Sequence, residues 1–225
     1  MASTPNAGGT VPASGTPGTD LTRRRLATAA MVGVVLYVVV DVVLQFLPPH
    51  YSPISEAESN LAVGPFGWIM NLNFLGRAAL SACAIAALAR VGTPSALRTA
   101  GLVLFGVAGL CSAALAFFAT DVAPAGEHGV GTTTTTGIIH LTLATGGFVA
   151  ALIAFALLTW WIRSVPELRH GYRPALVFLV VAAVGILSLG ATIAFAPSVL
   201  GLAERICLAG ILGWAFVVAA AVRRL

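Results

Sequence analysis

The chain has 225 residues, of which 58 % are hydrophobic and only 9 % charged, with a mean hydropathy of +0.96; a soluble domain carries roughly 25 % charged residues. Its 12 basic residues are all arginine and stand against 8 acids, a net charge of +4 that is too thin to coat a water-facing surface. A soluble fold is excluded, and the chain belongs in a bilayer.

Residues 1–22 open with MASTPNAGGTVPASGTPGTD, which offers nothing large and apolar to offset its own ordering entropy, and are expected to form a disordered tail. Thr22-Arg23-Arg24-Arg25-Leu26 then leads into an apolar run from Leu26 to Leu47. That run is close to the ~20 residues needed to span a bilayer, exceeds the ~15 of a signal peptide and ends without a small-residue cleavage site, so it reads as an anchored first span. Spans follow at Phe66 to Arg90, Arg98 to Ala119, Ile138 to Ile162, Pro174 to Ala196 and Ala203 to Val222, separated by Pro, Gly and charged residues. The predicted fold is an all-α polytopic membrane protein with six transmembrane helices in one domain, residues 23–225. The connections leave no room for a second.

Basic residues near span ends favour the cytoplasmic side. One side receives Arg23, Arg24, Arg25, Arg90, Arg98, Arg163, Arg169, Arg173, Arg223 and Arg224; the other receives Arg205, and Arg77 lies within a span. Both termini are therefore expected to be cytoplasmic. Trp160 and Trp161 suit an inner interfacial belt, and Tyr51 and Trp68 an outer one. Small residues at helical spacing, Ala78/Ala82/Ala86, Gly109/Ala113 and Gly146/Ala150/Ala154, mark candidate helix seams. Cys83, Cys111 and Cys207 fall inside spans and read as small core residues without a disulfide framework.

Polar groups within a bilayer need partners, and here they gather toward the outer side. Asp41 lies near the outer end of the first span, and Asn71, Asn73 and Arg77 lie on the second. Asn73 and Arg77 share a face. By depth, Asp41 is the expected partner of Arg77, with Glu204 next. In the first outer loop, Ser52-Pro53 and the Ser55/Glu58 spacing predict a short amphipathic helix starting between Ser52 and Ser55, a lid or a connector. In the second, Asp121, His128 and His140 bracket Thr132 to Thr136, a low-complexity run expected to be mobile. His50, His128, His140, Asp121 and Glu56 have zinc-compatible chemistry, but their spacing matches no metal motif, so no metal or other cofactor is expected. The candidate ligand-binding residues are Asp41, Ser55, Glu56, Asn71, Asn73, Arg77, Asp121, His140, Glu204 and Arg205.

Tyr51-Ser52-Pro53-Ile54-Ser55, Ser59-Asn60-Leu61, Gly67-Trp68-Ile69-Met70-Asn71 with Phe74, Phe118-Ala119-Thr120-Asp121, His140, and Gly201 with Glu204-Arg205 occur in that order relative to six spans. This set resembles the signatures of the bacterial six-helix integral membrane family catalogued as domain of unknown function 998, from about Leu26 to the C-terminus. That family usually has Pro where Ala119 stands, and the threonine run departs from its loops. The resemblance implies a fold and a membrane location and brings no assigned activity.

Three classes of function are compatible with the residues. A protein that binds or moves a lipid-like or small amphiphilic ligand needs an outward-facing polar pocket, and this reading ranks first. A structural or assembly protein needs every polar group satisfied internally. A metal-dependent membrane-embedded hydrolase needs its histidines and acids to converge, with Ser52, Ser55 or Ser59 as nucleophile. No nucleotide, phosphate-loop or haem motif is present. The arginines are spread over several segments, which is a topological signal and not a nucleic-acid footprint; the partner expected is the lipid bilayer of the cell membrane.

Overall fold

The computed structural model describes residues 17–124, 127 and 129–225, with side chains from Asp20 onward. Six helices are long and apolar enough to cross a membrane: α1 (Pro17–Leu44), α2 (Gly67–Leu88), α3 (Ala96–Leu115), α4 (Thr135–Ser164), α5 (Arg169–Phe195) and α6 (Leu200–Arg223). No strand occurs among the described residues. The protein is an all-helical, multi-pass membrane protein. His128, one of the histidines singled out above, lies outside the described residues.

α1 starts at Pro17, inside the segment read as a tail. Helix propagates outward from the apolar span once it is nucleated there. Pro17 suits a first turn, and Asp20 in that turn accepts from Arg23 Nη1 at 2.9 Å. Composition alone could not show that a polar segment would be carried along by the span behind it.

Successive helices pack side by side, and α6 also meets α1, α2 and α4. It is the central helix: 56 % of its spanning window is buried, against 17 % to 33 % for the other five. Lipid supplies no hydrophobic expulsion between helices, so cohesion comes from close packing. At the centre Trp214 stacks on Phe155 with centroids 3.9 Å apart, and Phe105 meets both edge-on at 5.1 and 6.1 Å. Trp214 Nε1 donates to Thr159 Oγ1 at 2.8 Å, which removes an otherwise costly buried donor.

The close approach of α5 to α6 uses Gly185 and Gly210. A Cβ on Gly185 would collide with the Cys207 backbone and one on Gly210 with that of Ala182. Of the predicted seams, Ala150 and Ala154 are buried, but a Cβ on Gly146 would meet nothing within 4 Å. The contact falls one residue later, where a Cβ on Gly147 would lie 3.0 Å from Cys111 Cβ.

Trp68 and Trp160 are exposed as interfacial residues should be, whereas Trp161 and Tyr51 are buried. Both buried rings are held by arginines. Arg98 lies 5.9 Å from the Trp161 ring centroid while Nη1 caps the carbonyls of Val91 and Gly92 at 2.7 and 3.1 Å. Arg205 lies 5.3 Å from the Tyr51 ring. Cys207 is buried, Cys83 and Cys111 are partly buried, and all three are free thiols.

Candidate functional site

The site is built around the loop from residue 45 to residue 66, which folds inward. Instead of a capped helix from Ser52, a single turn forms: Ser52 O accepts from Glu56 N at 2.9 Å and Ser52 Oγ from Ser55 N at 3.3 Å. Regular structure begins only at the short 3-10 helix Glu58–Ala62. The loop is pinned to the start of α6. Leu202 N donates to Ile54 O at 3.0 Å, and Arg205 Nη1 donates to Pro53 O at 3.1 Å and Gly201 O at 3.3 Å. Gly201 permits this approach, since a Cβ there would collide with the Glu56 carbonyl. The Tyr51 hydroxyl donates to the carbonyls of Glu56 and Ala57 at 2.9 and 3.0 Å and accepts from Arg205 Nη2 at 2.8 Å. Burial pushes that hydroxyl well above the usual tyrosine range, which keeps it a donor.

Folding inward carries Glu58 into the protein, where it is 3 % exposed. The Tyr37 hydroxyl of α1 donates to Glu58 Oε2 at 2.9 Å and accepts from Arg77 Nη1 of α2 at 3.2 Å. Arg77 Nη1 itself stands 4.0 Å from Glu58 Oε2, and Arg77 Nε donates to Ser112 Oγ of α3 at 2.7 Å. The Ser112 hydroxyl donates in turn to Phe74 O at 2.9 Å, and Asn73 Nδ2 donates to Tyr37 O at 3.1 Å. From α6, Glu204 Oε2 accepts from the Glu58 backbone N–H at 2.7 Å.

Arg77 is therefore partnered by Glu58 and not by Asp41. Asp41 stands three residues from the end of α1, bonded to Gln45 Nε2 at 2.7 Å and facing Arg205 Nη2 at 3.8 Å. The pairing by depth failed because it assumed that the loop stays outside. A re-entrant loop delivers a carboxylate to Arg77 directly. The cluster then holds three carboxylates, Asp41, Glu58 and Glu204, against two guanidiniums, Arg77 and Arg205, so one bound proton makes it neutral. Glu58 is the group for that proton. Burial pushes its carboxyl up to about 8, outweighing the attraction of Arg77, which the Tyr37 hydroxyl keeps at arm's length.

Beside this cluster lies a cavity of about 120 Å³ among α2, α3, α4, α5 and α6. Glu58, Arg77, Asp121, His140 and Glu204 are among its polar lining, with several serines and threonines; Phe74, Phe105, Leu143, Phe148 and Ile211 are among its apolar walls. His140 is 3 % exposed, its Nδ1 donates to Phe118 O at 2.7 Å, and its Nε2 is buried without a hydrogen-bond partner among the described residues. Donation from Nδ1 fixes the neutral tautomer with Nε2 as an acceptor. Asp121 accepts from the backbone N–H of Thr133 and Thr134 at 2.7 and 2.9 Å and from Thr134 Oγ1 at 2.7 Å. Those bonds, above all those from Thr134, hold its carboxyl below the usual range. The threonine run is thus not a uniformly mobile loop: Thr134 is the N-cap of α4, accepting from Gly137 N at 3.0 Å, and Thr135 and Thr136 begin the helix.

A second groove of about 330 Å³ runs between α1, α5 and α6. Asp41 and Arg205 line it, and Tyr37 and Glu58 form its inner end, so Glu58 borders both spaces. Ser55, Glu56, Asn71 and Asn73 line neither. Glu56 contributes its carbonyl and Asn73 a link between helices, while Asn71 makes no side-chain hydrogen bond among the described residues. The residues that sequence reasoning missed are Tyr37, Ser112 and the burial of Glu58. One signal was available, since Tyr37 precedes Asp41 by one helical turn in an otherwise aliphatic stretch. Among the described residues no three His, Cys, Asp or Glu side chains stand close enough to hold a metal, and His50 is exposed away from the cavity.

With this geometry in hand, the family follows from a match over residues 31–221 to the model described as protein of unknown function (DUF998). The chain belongs to that family. The matched range contains the re-entrant loop, the cavity and all five of its polar residues named above. No curated protein and no solved structure matches the chain.

Proposed function

We propose that this DUF998 protein binds or moves a lipid-like or small amphiphilic molecule through the cavity beside Glu58, with that side of the bundle facing outward across the cell membrane. The observation that carries the reading is the two-part lining, a polar cluster at one end and aromatic and aliphatic walls beyond it. A polar head meets acceptors there, His140 Nε2 foremost, while a tail lies against Phe105, Phe148 and Ile211. The volume of about 120 Å³ suits a small polar head with at most the first carbons of a chain, since an engineered ~150 Å³ apolar cavity takes up one benzene. The remainder of a tail has an exit: Ile193 of α5 lines the cavity and is also 48 % exposed on the helix surface.

The orientation rests on arginine placement, ten on the terminal side against Arg205 at the loop side. Cysteines introduced at Ile54 and Gly131 are expected to react with an impermeant thiol reagent applied to intact cells, and one at Glu167 is not; the reverse pattern would overturn the orientation.

The ligand is tested by mass spectrometry of an organic extract of purified protein beside elemental analysis of the same sample. A stoichiometric amphiphile that disappears from Ala144→Phe, which fills the cavity, supports the proposal. Neither amphiphile nor metal favours a structural role for the polar cluster. Stoichiometric zinc favours the hydrolase.

A further inference from the structure

The arginines on the terminal side are not equivalent. Arg90 Nη1 donates to Ala86 O, Arg98 caps two carbonyls, and Arg163 lies 5.5 Å from the Trp160 ring. Each has a local partner that accounts for it. Arg24 and Arg25 of α1, Arg223 at the end of α6 and Arg224 just after it have exposed side chains with no hydrogen bond, ion pair or ring contact among the described residues. These four line one cleft of about 660 Å³, completed by Thr28, Ala29 and Val32 and containing no acid. Arg169 and Arg173 on α5 lie outside it.

We propose that this cleft is a binding site for the phosphodiester headgroup of an anionic glycerophospholipid in the leaflet on the terminal side. Four arginines that line one cleft with no Asp or Glu in its lining repel one another, and a phosphate relieves that repulsion while matching their forked donors. The apolar side of the cleft selects a lipid over free phosphate. Ala29 and Val32 stand directly beyond the arginines, and Leu36, Val39 and Val43 continue the same face of α1, exposed at helical spacing. An acyl chain leaving the headgroup thus has a continuous track along α1. The site is independent of the outward cavity, which lies toward the other end of the bundle.

The test is native mass spectrometry of the full chain titrated with phosphatidylglycerol, with phosphatidylcholine of the same chains, and with inorganic phosphate as competitor. Phosphatidylglycerol is expected to bind more tightly than phosphatidylcholine and to resist equimolar phosphate. R24Q/R223Q should weaken it about thirtyfold, from roughly fivefold per lost charge near a membrane surface. R24K/R223K, which keeps the charge and loses the fork, should bind more weakly than wild type and more tightly than R24Q/R223Q. R169Q/R173Q, which removes the same charge from α5, should cost less than about fivefold, because those groups act only through a screened field. Should R24Q/R223Q fail to fold, single Arg24→Gln and Arg224→Gln variants carry the same comparison at about fivefold each. Equal losses from the α1/α6 and α5 pairs would reduce the cleft to part of a diffuse basic face. Equal binding of the two lipids, or displacement by equimolar phosphate, would overturn a phospholipid site.

Discussion

Replacing Glu58 with glutamine isolates the proton that the buried cluster holds. The groups facing Glu58 are Tyr37 and Asp41 from α1, Arg77 from α2, and Glu204 and Arg205 from α6. In the unfolded chain this loop carboxyl titrates near its ordinary value of 4.5, and in the folded protein at about 8. Between those values the folded state binds a proton that the unfolded state does not, so stability falls as pH rises. The contribution is complete below about pH 4.5, is lost as pH rises through about 8, and is constant above it. At about 1.4 kcal/mol per pH unit the interval amounts to about 5 kcal/mol. The glutamine side chain of Glu58→Gln keeps an acceptor for the Tyr37 hydroxyl and does not ionise, so the variant should show a much flatter profile and match wild type to within about 1 kcal/mol at low pH. Steric-trapping measurements in bicelles between about pH 5 and pH 9 give the two profiles. Parallel curves would show that Glu58 ionises normally and that the charge count around it has been misread.

Three further outcomes follow from the same contacts. At about pH 9, with Glu58 ionised, Arg77→Met should cost about 3 to 5 kcal/mol by stranding a buried carboxylate; adding Glu58→Gln should recover about 1 to 3 kcal/mol of this and adding Asp41→Asn almost none, the reverse ranking restoring Asp41 as the partner. Gly201→Ala and Gly210→Ala should each cost about 1 to 3 kcal/mol through backbone collisions, whereas Gly146→Ala, which meets nothing, should change stability by less than about 0.5 kcal/mol; equal thermal shifts for all three would refute the packing account. Asp121→Ala should speed amide hydrogen exchange at Thr133, Thr134 and Gly137, and because the carboxyl is held low, wild type should come to resemble the variant only as pH falls below the ordinary carboxylate range.

The spans were legible because a bilayer imposes one rule on every residue between its surfaces: apolar side chains outward and backbone groups bonded within the segment. Apolar runs and their Pro- and Gly-rich interruptions report that rule directly, so six helices could be placed to within a few residues. The exceptions are the starts of α1 at Pro17 and of α5 at Arg169, ahead of the expected Pro174, which lies inside the helix; both are polar segments to which the rule does not apply. Seams were only partly legible. Gly146 and Gly147 are chemically identical, and which one meets Cys111 depends on how α4 is rotated against α3.

The polar cluster was legible in membership and illegible in pairing, for one physical reason. Cost identifies members: Arg77, Asp41 and Glu204 lie in spans where an unpaired charge is expensive, so each was known to need a partner. Pairing by depth then requires each charged group to stay at the level its place in the chain suggests, and the segment from Tyr51 to Leu61 breaks that condition. It descends because the first turn of α6 carries Gly201, against which a backbone can lie flush, and because Leu202 and Arg205 satisfy the carbonyls of Pro53, Ile54 and Glu56 that descent takes from water. A carboxylate read as a helix cap thereby becomes the nearest acid to Arg77, and Asp41 is released to face Arg205. The single glycine that admits the loop thus decides which acids and bases meet, and with them where the proton sits.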